Sequence, residues 1–164
     1  MRRLRPAVAE TAYSGGLLTA AGIAVALLVE PTPRTGHLIG ALILFALFTP
    51  VLVLPVTRRL RAEAPGAEGE PVGPPIFLVA AQLPFVAAGG LVVVASDLEL
   101  SLYGAFVACL GLSQLVLAAR LRRIERERGV RVLLRPVYRL TGEHGLGRGW
   151  FDAANFVAAP MSKP

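Results

Sequence analysis

Gln82 and Gln114 stand in stretches that otherwise carry almost nothing but small and aliphatic side chains. A carboxamide donates and accepts hydrogen bonds without ionising, so this pair suits an uncharged polar group or a neighbouring helix, and not proton transfer. Three hydroxyls, Thr19, Thr49 and Ser113, sit in the same kind of surroundings. The usual chemical groups are badly placed for catalysis. Cys109 is the single cysteine, with no base or second thiol near it in sequence, and is expected to pack. His37 and His144 belong to connections on opposite sides of the topology argued below, so they do not share a metal within one chain. GEHGLGRG, residues 142 to 149, lacks the Lys followed by Ser or Thr of a Walker loop, and lacks the strand-to-helix setting of a dinucleotide fingerprint. It reads as a flexible turn. With no nucleophile beside a base, no carboxylate pair and no metal spacing, the sequence reads as a non-enzyme with no cofactor.

The elements that would hold Gln82 and Gln114 are set by hydrophobicity. The chain has 164 residues, of which 54% are hydrophobic, with a mean hydropathy of +0.60 and a pI near 10.7. An ordinary soluble domain is about 45 to 50% apolar even with glycine included. Four runs, Thr11 to Val29, Leu38 to Thr57, Pro75 to Ala95 and Ser101 to Ala119, contain no Asp, Glu, Lys, Arg or His. Each has the roughly 20 residues that a helix rising about 1.5 Å per residue needs to cross about 30 Å of hydrocarbon. The expected fold is all-α: a polytopic membrane protein of four transmembrane helices in two hairpins (residues 1–119), followed by a basic amphipathic tail (residues 120–164).

Arginine placement orients the hairpins. Arg2, Arg3 and Arg5 precede the first span, Arg58, Arg59 and Arg61 follow the second, and the tail holds nine arginines and Lys163; the other two connections hold only Arg34. The positive-inside rule then puts both termini in the cytoplasm of a cell-membrane protein. MRRLRP also resembles the start of a secretory signal. Its apolar run of about 18 residues exceeds the usual 7 to 15, so an uncleaved first span is expected.

Pro50, Pro55 and Pro84 each remove a backbone donor within a span, which predicts kinks and frees the carbonyls of Ala46 and Ala80. Small residues recur at every fourth position as Ala12, Gly16, Ala20 and Ala24, and again as Ser101, Ala105, Cys109 and Ser113. Such stripes are expected to face other helices. The second span, rich in Leu, Ile, Val and Phe, is expected to face lipid. Counting from the cytoplasmic ends puts Thr19, Thr49, Gln82, Ser113 and Gln114 in one layer at roughly 8 to 13 Å depth, either as interhelical hydrogen bonds or as a shallow polar pocket. A shift of 64 residues aligns the second span with the fourth, six identities in 27 positions, a weak sign of duplicated hairpins.

The fourth helix is expected to continue as RLRRIERER, with Glu125–Arg128 or Glu127–Arg131 pairs, until Gly129. RVLLRPVYRL would lie flat in the interface, with Arg122, Arg123, Arg131, Arg135 and Arg139 meeting the anionic lipid headgroups of the inner leaflet. Trp150, Phe151 and Phe156 in WFDAANFV are candidates for the membrane interface or a partner's groove, as a short helix once a partner orders it. Nucleic acid is not an expected partner. Two functions remain: scaffold or accessory subunit of a homo- or hetero-oligomer, or a small transporter or channel for an uncharged or weakly polar solute.

Overall fold

A computed structural model describes residues 5–29, 35–66, 77–96, 99–134 and 155–160. Four helices dominate: α1 (Ala7–Val29), α2 (Thr35–Ala62), α3 (Phe77–Ala95) and α4 (Leu100–Arg128). Three of them, α1, α2 from Ile39 onward, and α4, are long and apolar enough to cross a membrane. Their outward faces are apolar: Leu28 of α1 and Leu42 and Val51 of α2 are each about 70% exposed or more, a surface compatible with hydrocarbon.

The helices are organised around α4. α1 crosses it antiparallel and so closely that backbone meets backbone. A Cβ on Gly22 would lie 2.3 Å from the Ala108 nitrogen, and one on Gly111 would lie 2.4 Å from the Thr19 nitrogen. Gly15 faces Gly111 in the same way, and Gly104 meets Ala26 and the Gly22 carbonyl. Any side chain at these positions would force the pair apart. The expected four-residue stripe of α1 is therefore corrected. Gly16, Ala20 and Ala24 are exposed, and the packed face is Gly15, Thr19, Gly22 and Ala26. One residue along a helix is a rotation of about 100°, and what selects Gly15 over Gly16 is spacing: Gly15 and Gly22 are seven apart, as are Gly104 and Gly111. The stripe named in α4 is largely buried, but its members Cys109 and Ser113 bond towards α2.

α2 runs parallel to α4 on its other side. The Cys109 thiol donates to the Ala41 carbonyl at 3.1 Å, and Thr49 meets Ser113 at 2.9 Å. These last two are the residues that the 64-residue shift aligns. At its end α2 is capped from α4: Arg128 donates to the carbonyls of Leu60 and, at 3.1 Å, Glu63. A guanidinium there fills orphan acceptors of the last turn and opposes the negative end of the helix dipole. α3 is held by fewer contacts. The ring of Tyr103 lies on Gly89 and Gly90, with its hydroxyl donating to the Val86 carbonyl.

The all-α expectation needs a second correction. Arg5–Pro6 (β1), Val130–Leu134 (β2) and Phe156–Pro160 (β3) form an antiparallel sheet in the order β1-β2-β3. Gly129 makes the turn: it caps α4 in the left-handed conformation at φ 60°, which an L side chain adopts only with strain. The sheet closes a core of Val56, Leu60, Leu121, Ile124, Val132 and Phe156 where α1 begins and α2 and α4 end. Residues 131–134 are therefore not a flat interfacial helix; Val132, Leu133 and Leu134 are buried and only Arg131 points out. As expected, α4 continues past Ala119 to Arg128, and residues 130–134 and 156–160 pack back against its end.

Candidate functional site

The five polar residues expected in one layer fall into separate groups around α4. Gln82 on α3 and Gln114 on α4 do meet: the Gln114 amide Nε2 donates to Gln82 Oε1 at 3.2 Å. A third member joins them, Ser14 of α1, whose hydroxyl donates to the same oxygen at 2.7 Å. All three are buried, Gln114 and Ser14 completely. The group therefore ties three helices at one carboxamide oxygen. Two atoms are left over, Gln82 Nε2 and Gln114 Oε1, buried and without a hydrogen-bond partner among the described residues. Rotating both amides exchanges donor for acceptor and still leaves one of each unpaired.

Thr49 and Ser113 form the second group, between α2 and α4. Ser113 gives its proton to the Cys109 carbonyl at 2.9 Å, so Thr49 is the donor in the contact between them. Thr49 is thus turned across the helix interface instead of back to the carbonyl that Pro50 frees. Thr19 belongs to neither group. Its hydroxyl bonds to the Gly15 carbonyl of its own helix at 2.7 Å and lies against Gly111. Sequence reasoning missed Ser14, although Ser14, Leu18 and Gly22 share one buried face of α1. It also missed Glu10, completely buried in the first turn of α1, where the helix dipole favours an acid.

A cleft of about 370 Å³ opens between α2 and α4, from Thr49 and Pro50 down to Arg61, Arg120 and Arg123. Beside its mouth Glu127 accepts from Arg123, four residues away on α4, and lies 3.7 Å from Arg61. The hydrogen bond from Arg123 holds the Glu127 carboxyl below its ordinary pKa. The expected Glu127–Arg131 and Glu125–Arg128 pairs are replaced. Glu125 instead accepts the Val132 backbone N–H at 2.8 Å, joining α4 to β2, and Arg128 caps α2.

Of the expected headgroup-contacting arginines, Arg122, Arg123 and Arg131 are exposed; Arg135 and Arg139 lie outside the described residues. Trp150 and Phe151 lie outside them too. Phe156 sits in β3 opposite Leu134, fully buried in the chain's own core. No protein family, no curated protein and no solved structure matches this chain.

The Gln82–Gln114 contact should be visible as coupling. In a double-mutant cycle with Gln82→Leu and Gln114→Leu, unfolding in mild detergent should give a coupling energy of about 0.6 kcal/mol, and up to about 1.7. Strictly additive effects would mean that the two amides do not meet.

Proposed function

We propose that this protein is a non-catalytic integral membrane protein of the cell membrane, with four spans and both termini cytoplasmic, acting as a scaffold or accessory subunit in a membrane oligomer or complex. The observation that carries this reading is how the polar side chains are used. Ser14, Gln82, Gln114, Thr49, Cys109 and Tyr103 each bond from one helix to another. In a medium with no hydrophobic force between helices, such bonds and close small-residue contacts fix which helices are neighbours. Their product is a rigid assembly of helices with broad apolar outer faces on α2 and α3, suited to lipid and to a second membrane chain.

The four-span topology draws its support from the sheet. Residues 5–6, 130–134 and 156–160 share it, and Arg128 joins the end of α2 to the same region. The start of α1 and the ends of α2 and α4 then lie on one side, which requires an even number of crossings. α3, with 19 residues, supplies about 28 Å and makes the fourth. The arginine asymmetry assigns the sheet side to the cytoplasm. A second reading, passage of a small uncharged polar solute, is favoured by the unpaired N–H of Gln82 and C=O of Gln114.

Native mass spectrometry from mild detergent tests the scaffold role. A fixed stoichiometry above one, or a stoichiometric partner, is expected; a bare monomer under every mild condition would rule the role out. For the topology, a Cys109→Ala chain carrying Asp97→Cys should react with an impermeant maleimide on intact cells, and one carrying Glu68→Cys should react only after permeabilisation. Reversed labelling would overturn the orientation.

A further inference from the structure

The cleft between α2 and α4 has a length and a charge gradient that point to one kind of occupant. From Thr49 to Arg61 it follows α2 for twelve residues, about 18 Å, close to the roughly 15 Å of hydrocarbon in one leaflet. That length suits one acyl chain lying along the two helices. Its walls are Val53 and Leu54 of α2 and Val116 and Ile124 of α4. At the end shared with the sheet core stand three guanidiniums, Arg61, Arg120 and Arg123. Glu127 offsets one of them, so this mouth keeps an excess of positive charge.

We infer that this cleft binds one anionic phospholipid of the cytoplasmic leaflet. One acyl chain lies along Val53, Leu54, Val116 and Ile124, and the phosphate sits among Arg61, Arg120 and Arg123. The inference rests on the membrane orientation proposed above. It goes beyond general attraction of a basic tail to acidic lipid, because it demands a chain in a defined place as well as a charge. Guanidiniums suit phosphate through paired N–H donors. The contacts also bridge α2 to α4 across a cleft that the protein leaves unfilled, so a bound lipid would complete that interface.

The full-length protein, extracted in mild detergent and equilibrated with long-chain phosphatidylglycerol and phosphatidylcholine in equal amounts, is read by native mass spectrometry. One phosphatidylglycerol retained per chain, in preference to phosphatidylcholine, is expected. Replacing the three arginines together by glutamine should lower that preference by about tenfold or more. Leu54→Trp, which keeps every charge and fills the chain slot from a half-exposed position, should lower retention of the lipid to a similar degree. The unmodified protein supplies a control that needs no refolded variant: dihexanoyl phosphatidylglycerol, with the same headgroup and short chains, should fail to displace the long-chain lipid at equal concentration. Equal retention of the two headgroups, or displacement by the short-chain lipid, would overturn the site. A protein that needs no detergent to stay dissolved would instead overturn the membrane reading beneath it.

Discussion

Four glycines let α1 and α4 touch through their backbones, and the remaining tertiary structure is arranged around that contact. The pairing of Gly15 with Gly111 and of Gly22 with Gly104 and Ala108 fixes the rotation of both helices as well as their separation. Each helix is committed by two glycines two turns apart, so neither can roll without driving a side chain into a backbone. Once α4 is fixed against α1, its opposite side presents Cys109 and Ser113 to α2 and its third side presents Gln114 and Tyr103 to α3. Close approach also brings Cα–H groups near carbonyl oxygens, contacts that are individually weak and that recur where helices pack this tightly.

The same contact brings the two ends of the described chain together. Because α1 and α4 run antiparallel, the residues before α1 and those after α4 emerge side by side, and β1 and β2 need only a glycine turn at Gly129 to pair. β3 then adds to the free edge of β2 and contributes Phe156 to a core that α1, α2 and α4 leave open at that end. Edge pairing of this kind satisfies backbone groups that would otherwise lack partners. Arg128 extends the logic to α2, whose last carbonyls it occupies. Three helix ends are thus tied into one small folded unit.

Much of this was legible in the sequence, and what was not has identifiable causes. Uncharged runs of about 20 residues located the starts of the helices to within a few positions, while α2 and α4 run on into charged residues, α4 ending where Gly129 interrupts it. Equal depth was compatible with the meeting of Gln82 and Gln114 but did not single it out, since Thr49, Ser113 and Thr19 at the same depth bond elsewhere. The face of α1 did not follow, because a search for small residues at four-residue spacing finds Gly16 and passes over the seven-residue interval that Gly15 shares with α4. Ser14 was overlooked beside Gln82 because its hydroxyl matters through a partner 68 residues away, which no local pattern encodes. The sheet was hidden for a similar reason. Val130, Val132 and Leu134 do alternate, but β3 is separated from them by more than 20 residues and β1 comes from the other end of the chain. Pairing between distant short strands leaves little trace in composition, so a basic tail with apolar residues read as an interfacial helix.

Magic-angle-spinning NMR of the protein in lipid bilayers, with carbon and nitrogen labels, tests the α1–α4 contact most directly. The account predicts a through-space cross-peak between the Gly22 α-carbon and the Ala108 amide nitrogen, and none between the Gly16 α-carbon and any residue of α4. A spectrum that shows the intrahelical peaks of both helices but lacks the Gly22–Ala108 peak, or that shows Gly16 in contact with α4, would contradict it.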